Sequence, residues 1–229
     1  MRHAGVVIPV HDEVELLPRC LSAVRAAAKT AGVAVHVVVV LDRCTDGSAA
    51  ILAAERPLGH STHVVRIDAA NVGAARAAGC AALLQRYDVG GLWLATTDAD
   101  SAVGPTWLRQ QLRYASSGYD AVAGTVTIDD WTSYREESQR AYRRGYRRRW
   151  GHRHVHGANL GFSADAYVDA GGFAALPTGE DVALVAALTA AGRRIAWADD
   201  VPVMTSSRRL GRSPGGMSRF LSALPAAPL

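Results

Sequence analysis

Gly5 to Val10, written GVVIPV, is a short apolar run that stops at His11-Asp12-Glu13; it predicts a buried strand with a polar loop at its C-terminal end. The period then changes. From Glu15 to Ala31, Leu16, Leu17, Cys20, Leu21 and Val24 recur at helical spacing, and Gly32 stands at the expected C-cap. Val33 to Leu41 is a continuous β-branched run, as in a parallel strand covered on both faces. After the loop Asp42–Ser48 a helix is expected over Ser48–Glu55, a strand over His63–Ile67, a helix from Asn71-Val72-Gly73 to about Tyr87, and a strand over Leu92–Thr96. This alternation predicts an α/β fold with a doubly wound, mostly parallel sheet and helices on both faces. Each polar loop follows a strand's C-terminal end, the edge where open α/β sheets bind ligands.

Beyond Asp100 the rhythm is less regular. Helices are expected at Trp107–Ser116, Ser163–Ala170 and Asp181–Ala191, and strands at Asp120–Ile128, Val155–Phe162 and Arg194–Ala198. Asp129–Arg153 is polar, aromatic and rich in arginine. With no repeat and no long linker, one domain spanning 1–229 is expected, with two halves, 1–103 and 104–205, and a tail, 206–229.

Composition narrows the classes. Hydrophobic residues make up 49% of 229, ordinary for a globular protein, and no apolar run reaches membrane-span length. The apolar run near the N-terminus is broken at once by Pro9, His11, Asp12 and Glu13, unlike a signal peptide, so a cytoplasmic protein is expected. Cys20, Cys44 and Cys80 form no CxxC pair and suggest neither a disulfide framework nor a zinc site. The net charge of +4 rests almost wholly on arginine, with Lys29 the single lysine; beside so much alanine this reflects coding bias and weakens a phosphate-binding argument from arginine alone.

The stretch LWLATTDADSAV ends an apolar strand on two close acids, Asp98 and Asp100. Such a pair is either a polar strand-end turn or a site for a divalent cation. In order along the chain stand VVIPVHDE, LDRCTDGS, NVGAARAAG, TTDADS, HGANLGF followed by AGGF, and GED. Together these motifs, over roughly residues 5–195, resemble the family 2 glycosyltransferases of the GT-A fold.

That resemblance implies a nucleotide-diphosphate-sugar donor, a UDP- or GDP-sugar, and an inverting transfer to a hydroxyl acceptor, either a small molecule or lipid-linked. It implies Mg²⁺ or Mn²⁺ held by Asp100, with Asp98 at the ribose or supporting the metal. Pro9, His11 and Glu13 would lie along the nucleoside, though an early-helix acid favoured by the helix dipole also accounts for Glu13. Asp42 would accept from the base, but Arg43 stands where the family usually has a second acid. Asp46-Gly47-Ser48 reads better as a turn and helix cap. Asn71, Gly73 and Arg76 match the family's phosphate-side segment, where a helix start offers amides to an anion; an ordinary helix start is the alternative. Gly157 would admit the donor sugar closely, with Asn159 pointing into the site. His156 would approach the diphosphate, against the commoner structural histidine. Of the pair Glu180-Asp181, Asp181 is expected as the general base, where helix capping alone would also place acids. No histidine follows His156, so the late histidine of many relatives is replaced by Thr205–Arg209, with Arg208 and Arg209 as candidate diphosphate ligands.

Arg140 to Arg153 contains seven arginines interleaved with Tyr142, Tyr146 and Trp150. It is a solvated flap over the acceptor site, a peripheral contact with an anionic membrane, or a nucleic-acid surface; the flap is preferred and no nucleic-acid module is evident. Two rival functions remain. A sugar-phosphate nucleotidyltransferase would want a Gly-rich basic loop after the first strand, where this chain has Pro9-Val-His-Asp-Glu13. A non-catalytic nucleotide-sugar-binding protein would fit the departures at Arg43 and at the late histidine.

Overall fold

A computed structural model describes residues 1–146, 148–208 and 221–224. In chain order its elements are β1 (His3–Val10), α1 (Leu17–Thr30), β2 (Ala34–Asp42), α2 (Ser48–Ala54), β3 (Ser61–Ile67), α3 (Val72–Leu84), β4 (Leu92–Thr96), β5 (Ala102–Val103), α4 (Trp107–Ser116), β6 (Ala121–Ile128), α5 (Glu136–Gly145), β7 (Leu160–Ser163), α6 (Ala164–Asp169), α7 (Glu180–Ala190) and β8 (Ile195–Thr205). One sheet runs β3-β2-β1-β4-β7-β6-β8-β5. The first four strands are parallel, β6 and β8 are parallel to each other, and β7 and β5 run antiparallel to their neighbours.

The central strands β1, β2 and β4 are mostly apolar because both faces of the sheet are covered there. Along β2, Val35, Val37, Val39 and Leu41 pack with Leu17, Leu21 and Val24 of α1. Val38 and Val40 face the opposite way, with Ala75, Cys80 and Leu83 of α3. Alternation of period two thus serves two cores, and each fully buried Val or Leu side chain contributes about 1.5–3 kcal/mol. Helix α1 starts at Leu17, with Pro18 in its first turn, and ends before Gly32, whose φ of +76° suits a residue without Cβ. The thiols are free, with Cys20 and Cys80 buried.

Three expectations change. The strand expected at Val155–Phe162 is confined to Leu160–Ser163, because Gly157–Asn159 form a 3₁₀ turn locked by side-chain bonds described below. The last strand does not stop at Ala198 but runs to Thr205, pairing with β6 on both sides of an irregularity at Gly124/Val126; Asp199, Asp200 and Pro202 hide it from an apolar pattern. Within 129–153 lies α5, which buries Ser138 and Tyr142 and leaves its other side exposed. Pro9 lies inside β1, beyond the last pair β1 makes with β4, Val7 with Thr96, so its missing N–H costs no ladder bond there.

At the end of the sheet opposite the strand C-termini lies a histidine cluster. His36 is buried, stacks on Tyr87 at 3.9 Å between ring centroids, and meets His3 Nδ1 (3.1 Å) and Ser61 Oγ (2.9 Å) through its two ring nitrogens. Burial first, then His3, His60 and His63, push its pKa down to about 4. Between about pH 6.5 and 4 the unfolded chain therefore binds the proton more strongly at this ring. Stability falls as pH falls through that window, by up to about 1.4 kcal/mol for each pH unit crossed. Urea unfolding at pH 7 and at pH 4.5 should show this loss in the wild type and a smaller one in His36→Asn; equal losses would reject the assignment.

Candidate active site

Strand direction assembles the site. The C-terminal ends of β1, β2, β4, β6 and β8 share one edge of the sheet. Because β7 runs the other way, its N-terminal approach, His156–Ala158, arrives there too. A cavity of about 420 Å³ opens at this edge, within the range of small-ligand sites. Pro9, His11, Glu13, Asp42, Asn71, Arg76, Asp98, Asp100, Gly157, Glu180, Asp181 and Arg208 border it, so twelve candidates separated by up to 199 positions meet at one place.

Two arginines organise the acids. Arg76, only 3% exposed, reaches Glu180 through Nη1 and Asp98 through Nη2. Its guanidinium lies against Gly157, where a Cβ would collide with it. Gly157 therefore makes room for Arg76 and also borders the cavity. Arg208 grips Glu13 through both nitrogens (2.7 and 2.6 Å) and reaches Asp100 Oδ2 (2.8 Å). The tail that carries it is tied down by Ser207, whose N–H donates to Asp129 Oδ1 (2.9 Å) and whose carbonyl accepts from Tyr134 (2.6 Å). Arg19 joins Asp129 (2.7 Å) to the carbonyl of Asp100 (3.0 Å). Arg19, Asp129 and Tyr134 carried no sequence signal, since only tertiary contact brings them here. Arg209 lies outside the described residues.

Several expected ligands are engaged by the protein itself. Asp42 accepts from the amides of Ala69 (2.8 Å), Ala70 (2.9 Å) and Asn71 (2.8 Å), which leaves one of its four lone pairs, on Oδ2. His11 Nδ1 bonds to its carbonyl (2.8 Å). Arg43 points away, to exposed Asp68 at 3.6 Å. Asn71 caps α3 by accepting from Ala74 N (2.9 Å), and the Gly73 amide donates to Leu176 O (3.1 Å). Gly73 lacks a Cβ because residues 174–176 cross it, so those two amides at the helix start are not offered to an anion. Asn159 does not point into the cavity: fully buried, it accepts from Trp107 Nε1 (2.9 Å) and donates to Thr125 O (2.7 Å) and Val201 O (2.6 Å). It braces β6, β8 and α4. Asp46 accepts from Val14 N and Ser48 N (2.8 and 2.9 Å), in keeping with its turn-and-cap reading.

The two members of the acid pair differ. Glu180 is sealed against Arg76, with its side chain 5% exposed. Asp181 is half-buried and accepts from Gly157 N (2.7 Å) and Val182 N (2.8 Å), keeping further lone pairs beside the cavity. His156 borders the cavity: Tyr146 OH accepts from Val126 N (2.9 Å) and shares a hydrogen bond with His156 Nε2 (2.7 Å), and burial pushes the His156 pKa down to about 4.

Among the described residues the cavity carries six carboxylates and two guanidiniums. Burial, then Asp98, push the Asp100 carboxyl up to about 6 against the pull of Arg208. No three His, Cys, Asp or Glu side chains among the described residues stand close enough to ligate one metal ion. Asp100 with Asp98 beside it suits a hard cation that takes its remaining ligands from water and phosphate, the habit of Mg²⁺ and Mn²⁺.

The sequence matches the profile of Glycosyl transferase family 2 over residues 5–171, and the chain belongs to that family. No protein of curated function matches it by sequence. Among solved structures, S. aureus TarS 1-349 in complex with UDP-GlcNAc superposes with a TM-score of 0.69 at 13% identity, over 97% of this chain and 61% of that one. GalNAc-T7 with UDP, GalNAc and Mn²⁺ gives 0.63 at 11%, over 93% and 46%. The Pyrobaculum calidifontis mannosyltransferase PcManGT with GDP-Man and Mn²⁺ gives 0.62 at 20%, over 91% and 58%. These likenesses show the GT-A fold. This chain spans less than two thirds of each of those proteins.

Proposed function

We propose that the protein is an inverting glycosyltransferase, moving a sugar from a UDP- or GDP-sugar to an acceptor hydroxyl with the help of Mg²⁺ or Mn²⁺. The observation that carries the metal is the excess of carboxylates in the cavity: a diphosphate does not enter so negative a site unless a cation accompanies it. Nucleotide sugars bound to the superposing TarS and PcManGT structures support the donor class.

Asp100, with Asp98, would hold the cation, which stabilises negative charge as the diphosphate leaves. Arg76 fixes Asp98 in position. The open lone pair of Asp42 and the ring of His11 face the nucleoside. Arg208 releases Asp100 and turns to the diphosphate oxygens, as a guanidinium suits phosphate. Asp181 takes the proton of the acceptor hydroxyl as that oxygen attacks the anomeric carbon. A single base and one displacement invert the configuration. Glu180, paired with Arg76, is a poorer base.

The test is nucleotide release from a panel of UDP-, GDP- and dTDP-sugars with acceptor hydroxyls, joined to calorimetry of UDP and GDP with and without Mn²⁺. Turnover with one donor and metal-dependent binding lost in Asp100→Ala are expected; binding indifferent to both would reject the metal. Arg208→Ala should bind Mn²⁺ alone more tightly and nucleotide more weakly, each by roughly tenfold, the scale of one charge-assisted bond.

A further inference from the structure

Residues 135–153 hold eight arginines and two glutamates, a net +6 in a chain whose total is +4. The remainder of the protein is therefore net negative. Coding bias explains why these cations are arginine; it does not explain why they are gathered in one place.

The structure shows how they are displayed. Helix α5 seats Tyr142 in a small aromatic core with Ile128, Tyr134 and Leu221. At 100° per residue, Arg140, Arg143 and Arg144 fall within about 100° of one another, on the side away from Ser138 and Tyr142; all three are exposed. Arg140 pairs with Glu136 (2.6 Å). Among the described residues Arg143, Arg144, Arg148 and Arg149 are exposed and make no ion pair. The helix dipole accounts for cations in the last turn of α5 but not for Arg148 and Arg149 beyond it. Trp150 follows directly, 53% exposed, held by stacking on Tyr114 at 5.8 Å. The segment hangs from the cavity rim through Tyr146, which bonds to His156.

We infer that α5 and residues 148–150 form a docking surface for an anionic lipid bilayer. Unpaired arginines seek anionic headgroups, and an exposed, propped tryptophan suits the headgroup boundary. The net-negative remainder of the chain adds no overall attraction of its own, which favours contact through this segment. The inference rests on charge and exposure, so its failure leaves the proposed transferase reading untouched.

The test uses the full chain with phosphatidylcholine vesicles, with and without about a third phosphatidylglycerol, at low and at about 0.5 M salt. Flotation with the anionic vesicles alone, release by salt, and a blue shift in tryptophan emission that Trp150→Phe removes are expected. Arg143→Ser with Arg144→Ser, and Arg148→Ser with Arg149→Ser, should together weaken vesicle binding at least tenfold while calorimetric nucleotide binding stays unchanged. Equal binding to neutral vesicles, no effect of the four changes, or tighter binding to single-stranded DNA than to the vesicles would overturn the proposal.

Discussion

Arg76→Ala should lower the free energy of unfolding by about 3–5 kcal/mol, because it strips a buried carboxylate of its counter-charge. Glu180 has almost no water to turn to, and Asp98, 36% exposed, has some. Glu180 therefore bears most of the loss. The double variant Arg76→Met with Glu180→Gln removes both charges at similar volume and should recover much of the stability, since a buried pair replaced as a unit is often close to neutral. A urea-unfolding double-mutant cycle with Arg76→Met and Glu180→Gln as its single variants measures this directly: the loss in the double variant should be well below the sum of those two. Additive losses would mean that Arg76 and Glu180 do not hold each other in place. Asp98 would also lose its anchor, so Arg76→Ala is expected to lose activity even at temperatures where it remains folded.

Asp181→Asn should reduce kcat on the order of 10²–10⁴-fold, the usual contribution of a positioned general base. The amide carbonyl can still accept from Gly157 N while the contact with Val182 N is given up, so the His156–Ala158 approach keeps its support and the capacity to take a proton is gone. Calorimetry should find UDP or GDP affinity unchanged, which separates a lost base from a collapsed cavity. A fall in turnover below tenfold would reject Asp181. Glu180→Gln gives the contrasting pattern: it breaks the Arg76 pair, so it should cost stability as well as activity.

Much of this was legible along the chain. The apolar runs gave the first four strands and three helices to within about three residues at each end, because a strand buried on both faces and an amphipathic helix write their periods locally. The resemblance to the family came from short motifs at strand ends, and the family match confirms it. Side-chain direction was not legible. Asn159 and Gly73 stand in the expected segments, yet the first braces three elements and the second makes room for residues 174–176. Helix α5 was obscured because its buried face is two residues wide and the rest of it is charged. Strand β8 was cut short because its second half carries two acids and a proline.

The sequence by itself determined the α/β order, the family and the set of acids at strand ends. These follow from hydrophobic periods and local motifs, which act over a few residues. Only the tertiary structure decided the pairing. Arg76 meets Glu180 across 104 positions and Arg208 meets Glu13 across 195, because the sheet order places β4 beside β7 and carries the end of β8 back to the edge where β1 ends. Once that edge closes, the buried carboxylates need counter-charges within hydrogen-bonding reach. Which arginine supplies each is set by the fold's long-range geometry rather than by spacing along the chain.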